Sequence, residues 1–234
     1  NRTSPFAFTG NKFEFRMLGS SMSVSWTNTV LNLTVAEALD CFATMLENTG
    51  DFDATIKEII TSTYQAHKRI FFDGNGYSDE WVQEAARRGL PNLPDTVSCA
   101  AALIDDRTTE LFERFEVYTN GELHAKYEVM LETYMKNRLI EANTMLYMVQ
   151  RQLYPAAVKY AKELISAQQG FESLCLGKSG CDEKAGHIRM LLLESDGEVR
   201  NMKKTMEKVK NAQDTLHKAQ LCADELLAVM TRLR

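Results

Sequence analysis

Lys12, Glu14 and Arg16 alternate with Phe13 and Phe15 in the run KFEFR. Successive side chains of a strand point to opposite faces, so the three charged groups would form one row, with neighbours roughly 6–7 Å apart, and the two Phe would lie on the other face. Two chemistries suit such a row. It can be a solvated outer face over a Phe core, as in many antiparallel sheets. It can also line a cavity, where the carboxylate offers hard oxygen to a divalent cation. There the Arg would fork onto a carboxylate or phosphoryl group, and the Lys would meet a phosphate as a point charge. The pattern alone leaves both readings open.

Other strings that resemble sites fail on spacing. LGKSG at 176–180 contains GKS, but a phosphate-binding loop needs a Gly five positions before the Gly of GK, and that position is Glu172. In DGNGYSDEWVQE at 73–84, Asp73, Asn75, Asp79 and Glu84 fall at calcium-loop spacings, but the sixth position is Ser78 instead of Gly. A turn between helices and a turn leading into a capped helix explain these two strings better. The five cysteines (41, 99, 175, 181, 222) include no CxxC pair, which removes zinc-ribbon and thioredoxin readings. Cys175 and Cys181 flank a loop and are expected as reduced thiols, with a disulfide as the alternative. The four His (67, 124, 187, 217) form no HExxH pattern, and surface or packing roles are expected for each.

The elements that would position the charged row follow from periodicity. A strand is expected around 11–18, then a polar loop GSSMSVSW at 19–26. From about Thr27 apolar residues recur at helical spacing (Val30, Leu31, Val35, Ala38, Leu39, Phe42, Leu46), with Gly50 beyond the end. A second helix is expected over 53–67 with Ile56, Ile59 and Ile60 as its apolar face. Ser78 is placed to cap a short helix that ends at Gly89, with Asp79 and Glu80 at its positive end. LPNLP then breaks the chain.

Two long segments follow. Residues 122–169 contain no Gly, and their only Pro is Pro155, where a kink is expected. In 183–233, Val199, Met202, Met206, Val209, Leu216, Ala223, Leu227 and Met230 step by threes and fours, a heptad seam interrupted by Gln213 and Gln220. With GFESLCLGKSGCD as a turn, the two segments predict a long antiparallel helical hairpin packed seam to seam. Intermolecular pairing is the rival use of that seam. The Met residues on these helices (130, 135, 145, 148, 202, 206) are expected in the core.

The 234 residues suffice for one good-sized core or two small ones. A net charge of −5 argues against nucleic-acid binding, which calls for a basic face. No segment is expected to cross a membrane. No signal peptide is visible. The first residue is Asn1 and not Met, and an upstream part is expected.

NRTSPFAFTGNKFEFR, followed by GSS and TNTVLN, is similar to the segment of glutamine synthetases that opens with an NRS/NRT motif and ends in an E-x-R strand. Its fuller wording, and the block IFFDGNGYSDEWVQEAARRGLPNLP, resemble the type III class. TVSCAAALIDDRTTELFERFEVYTNGELHAKYEVMLETY resembles the family's helical end region. The resemblance covers essentially the whole chain. It implies a mainly α fold in which one or two N-terminal strands complete an α+β catalytic domain (residues 1–72), followed by a helical C-terminal domain (73–234).

It also implies an ATP-dependent ligation of ammonia to the γ-carboxylate of glutamate through γ-glutamyl phosphate, with Mg²⁺ or Mn²⁺. By motif position Glu14 would ligate metal. Arg16 would contact the glutamate carboxylate or the transferring phosphoryl group, and Arg2 would contact glutamate or stabilise phosphoryl charge. Relatives of other types carry a further Arg before the strand. Here SPFAFTGN has none, and Lys12 is the cation available for nucleotide phosphates. The family implies a cytoplasmic, ring-shaped homo-oligomer, a dodecamer of two hexameric rings. One Glu cannot hold two metals, so the isolated chain is expected to be inactive. The alternative is a non-catalytic helical interaction module. Other ATP-dependent carboxylate–amine ligases of the same fold share the E-x-R strand.

Overall fold

The computed structural model describes residues 6–16, 19, 22–177 and 179–234. Among the described residues the chain is mainly helical with one two-stranded antiparallel sheet. It forms two compact units, Asn1–Asn92 with Leu111–Val117, and Leu93–Glu110 with Tyr118–Arg234. The boundary expected after residue 72 falls inside the first unit.

In the first unit, β1 (Phe6–Phe8) pairs with β2 (Phe13–Phe15) in the register Phe6↔Phe15, Ala7↔Glu14, Phe8↔Phe13. The expected strand over 11–18 therefore starts later, at Phe13, and its last two residues lie outside the described residues. Residues 9–12 are a turn, closed by the Thr9 amide and hydroxyl donating to the Lys12 carbonyl at 2.9 and 3.1 Å. Gly10 sits at φ +98°, a conformation that a side chain would strain.

Helix α1 (Val24–Glu47) starts earlier than expected because Ser23 caps it, its hydroxyl accepting from the Ser25 amide. Only Leu33 of this helix is buried. Trp26 stacks on buried Phe112 with centroids 5.9 Å apart, and Arg114 pairs with Glu37. Contrary to the sequence expectation, α1 is long and apolar enough to cross a membrane by length and composition. Its polar residues are mostly uncharged Ser, Thr and Asn, which interrupt an apolar run to the eye yet leave the mean hydropathy at 1.3. Helix α2 (Phe52–His67) is capped by Asp51, and Ile59 is its buried residue. Ile60, expected on the same face, points outward, since adjacent helical positions lie about 100° apart.

Helix α3 (Asp79–Arg87) starts after Ser78 as expected, but the Ser78 hydroxyl makes no cap bond. It donates to the Asn75 carbonyl at 2.9 Å, tying the preceding turn instead. Gly89, at φ +69°, ends the helix.

The second unit comprises Thr96–Ala101 (α4), part of α5 (Asp106–Arg114), and the long helices. Helix α6 (Asn120–Met148) opens with a reciprocal capping box between Thr119 and Glu122. The expected kink at Pro155 takes the form of a π turn, Val149–Leu153, directly before α7 (Tyr154–Ser173). Pro155 has no N–H and its ring crowds the preceding turn; the wider turn, with the Tyr154 amide donating to the Val149 carbonyl, accommodates it. Helix α8 (Cys181–Asn211) packs against α7 and, further along, against the chain's last helices.

The heptad seam is unbroken through Val209, and of its later positions Met230 is buried again. Val199, Met202, Met206 and Val209 are buried. Residues 212–214 then leave the helix, and Asp214 caps α9 (Thr215–Leu221) through the His217 amide at 2.7 Å. A second π turn, Cys222–Leu226, leads into α10 (Leu227–Leu233). The break and the extra residue of the π turn shift the register. Ala219, Cys222, Leu226, Val229 and Met230 are buried, whereas Leu216 and Leu227 are 36% and 40% exposed. Ala142, Leu146 and Val149 complete this core, with Met135 and Met145 packed against it. Of the other helical Met, Met148 is exposed.

Candidate functional site

The hairpin places the charged row as its alternation requires. Glu14 lies in the middle of β2 opposite Ala7, with Lys12 at the end of the turn and Arg16 just past the strand. Arg16 donates to Glu14 Oε2 through Nη2 at 2.7 Å and Nε at 3.2 Å. Lys12 Nζ lies 3.6 Å from Oε1. Both carboxylate oxygens therefore face a cation of this chain. The Arg16 guanidinium, hydrogen-bonded to the carboxylate and helped by Lys12, holds the Glu14 carboxyl below its ordinary range against the opposing effect of desolvation, so it is ionised at neutral pH. On the opposite face, Phe6 stacks on Phe13 at 4.9 Å and Phe8 lies 5.2 Å from Phe13. Phe8 and Phe13 remain 63% and 51% exposed, so the Phe face is not a closed core among the described residues. Arg2 and its NRT motif lie outside the described residues.

Among the described residues no group of three or more His, Cys, Asp or Glu could hold a metal ion. Glu14 fits one oxygen ligand of a shared site, since its side chain is one-third exposed, ionised and carries hard oxygen. It does not make a site by itself.

The rejected strings have structural uses. Ser179 of the GKS string gives its amide and hydroxyl to buried Gln168 Oε1 at 3.1 and 2.7 Å, bracing the turn between α7 and α8. Asn75 Oδ1 accepts from the Tyr77 amide within an Asx turn. All five cysteines are free; Cys222 is fully buried, and burial pushes its thiol up to about 11.

One cluster escaped the sequence reading. Phe72 stacks on Trp81 at 4.4 Å, and Arg88 lies over both rings. Arg88 also donates to the Arg69 and Phe71 carbonyls, and it shares Glu84 with Arg87. These two guanidiniums, Arg87 first, lower the Glu84 carboxyl to about 2. A Cβ at Gly74 would meet the Phe72 ring at 2.6 Å, so a side chain there would displace that ring. The aromatic-to-Arg spacing carried the signal, but nothing in a linear reading indicates that one Arg ties both rings and two carbonyls together.

Residues 55–171, half of the chain, match the model of the glutamine synthetase C-terminal domain. The chain belongs to the glutamine synthetase family. It is 37% identical over 238 aligned residues to a glutamine synthetase of Butyrivibrio fibrisolvens, an alignment covering all of this chain and 34% of that protein. It is 37% identical over 167 residues to a type-3 glutamine synthetase of Dictyostelium discoideum, covering 70% of this chain and 23% of that protein. A glutamine synthetase of Bacteroides fragilis (strain YCH46) is 35% identical over 179 residues, 75% of this chain and 24% of that protein. The chain thus spans between about a quarter and a third of the length of these glutamine synthetase relatives. The family match includes the Arg88 cluster, all of α6 and most of α7 but begins after the hairpin. It is the Butyrivibrio alignment that extends over Lys12, Glu14 and Arg16.

Proposed function

We propose that this chain works as the C-terminal part of a glutamine synthetase that ligates ammonia to the γ-carboxylate of glutamate at the expense of ATP. The observation that carries the reading is the KFEFR row on one face of the hairpin, in a chain aligned along its whole length with a glutamine synthetase. In this reading residues 1–72 complete the catalytic domain. Residues 73–234 form the helical C-terminal domain, with α7 and α8 as a hairpin that serves packing within a cytoplasmic ring-shaped homo-oligomer.

Glu14 supplies one carboxylate to a Mg²⁺ or Mn²⁺ site whose other ligands come from outside this chain. The metal, when bound, neutralises charge on the phosphate oxygens. Arg16 orients the glutamate carboxylate or the phosphoryl group through its planar fork of donors. Lys12 attracts the nucleotide phosphates, and Arg2 contacts glutamate or offsets the phosphoryl charge. Attack by ammonia on γ-glutamyl phosphate then releases phosphate and forms the amide.

A longer polypeptide carrying this chain is expected to form glutamine from glutamate, ammonia and ATP, and the isolated 234 residues are expected to form none. Glutamine formation by the isolated chain would remove the claim that its site is incomplete. The second reading, a non-catalytic helical module, draws on one observation: the cations of this chain already occupy both oxygens of Glu14.

A further inference from the structure

We propose that the α7–α8 hairpin pairs with the same hairpin of a second copy of this chain, antiparallel and about a two-fold axis, through one face of α8. Such pairing rests on the reading of this hairpin as a packing element, and it fixes the face, the partner and the register. Helix α8 carries two neighbouring stripes, each stepping by threes and fours. Ala185, Ile188, Leu192, Ser195 and Val199 are buried or half-buried against α7 and the core. Lys184, His187, Leu191 and Glu194 form the adjoining stripe, and all four are exposed. On that side a cleft of about 430 Å³ opens between the two helices, lined by Tyr160, Glu183, Lys184, His187 and Ile188. Tyr160 is 52% exposed, and Leu191, one turn beyond His187, is 48% exposed. A two-helix hairpin has no third layer, so this apolar surface stays wet until another surface covers it.

The order of groups along the exposed stripe selects the partner. It runs from the Lys184 cation through His187 and Leu191 to the Glu194 carboxylate, and among the described residues neither charge has a side-chain partner. A two-fold axis at the level of Arg189 sets Lys184 of one copy opposite Glu194 of the other, and His187 opposite Leu191, because each pair is evenly spaced about that level. Each Leu191 then comes over the other copy's cleft, and a Lys–Glu pair closes either end. A parallel pairing would set Lys184 on Lys184 and Glu194 on Glu194. The stripe is therefore complementary to itself in one direction only. The face is two helices wide and three to four turns long, roughly 20 Å each way. That is the small end of specific interfaces and suits a weak contact strengthened by others in the same assembly.

The test uses the longer polypeptide carrying this chain, with p-benzoylphenylalanine in place of Leu191 and a mixture of ¹⁵N-labelled and unlabelled copies. Irradiation is expected to join that position to peptides holding Tyr160 or residues 183–188 of a different copy, read by mass spectrometry as mixed-isotope products. Lys184→Glu alone and Glu194→Lys alone are each expected to lower this yield about three- to tenfold, as two exposed ion pairs become repulsions. The two reversals together are expected to restore it, a rescue that lost folding cannot imitate. Losses without rescue would overturn the pairing. Products that join position 191 to segments of the same copy outside this chain would overturn it too, with the rest of the polypeptide as the cover. An oligomer by sedimentation that yields no joined product would overturn the pairing and leave a packing role for other faces of the hairpin. A folded monomer would remove both.

Discussion

Replacing Glu14 with Ala in the longer polypeptide lowers glutamine formation by roughly a thousandfold or more, the scale of losing a metal-based stabilisation of transferred phosphoryl charge. The melting temperature moves little. The Glu14 side chain is one-third exposed, its partners are more exposed still, and such pairs contribute little to folding. Loss of turnover with an unchanged melting curve is thus the signature of a site carboxylate. The conservative Glu14→Gln keeps the volume and removes the charge, and it is expected to lose nearly as much. Turnover within a few fold of the unmodified enzyme would favour the non-catalytic module, because a helical module has no use for this charge.

Leu226→Ala destabilises the second unit by about 2–5 kcal/mol, whereas Leu227→Ala changes it by roughly 0.5 kcal/mol or less. Leu226 is fully buried among Val199, Met202, Met206 and Val229, and Leu227, one position on, is 40% exposed. The contrast reads the register directly. An uninterrupted heptad would place Leu227 in the seam and reverse the order of the two effects. Chemical denaturation of both variants, followed by helical circular dichroism, checks the difference. The midpoint shift, with unchanged slope, reports stability.

Much of this architecture was legible in the sequence because its signals are local. Val199 to Val209 announce their buried face by period, whereas the caps Asp51 and Thr119 emerge only from the structure. Lys12, Glu14 and Arg16 sit together because strand alternation alone brings them together. What escaped depends on events that period cannot carry. The turn at 212–214 and the π turn at Cys222–Leu226 add or reset residues, so Leu216 and Leu227 leave the buried face while Met230 keeps it. The Ser78 hydroxyl had two acceptable uses, and Asn75 took it. The Arg88 cluster needs residues 69, 71, 72, 81 and 84 at once, which only the folded chain provides. In α1 uncharged Thr and Asn interrupt the apolar run yet leave its mean hydropathy high.

The central claim is that this chain serves in glutamine synthesis through an activated γ-carboxylate. Oxygen transfer tests it most directly. The longer polypeptide carrying this chain is incubated with ATP, ammonia and glutamate labelled with ¹⁸O in its γ-carboxylate, and the released phosphate is read by mass spectrometry. The account predicts one ¹⁸O in phosphate for each glutamine formed, since the carboxylate oxygen that attacks ATP leaves with the phosphoryl group. Glutamine formed with unlabelled phosphate, or no glutamine from a folded protein that binds ATP, would contradict it.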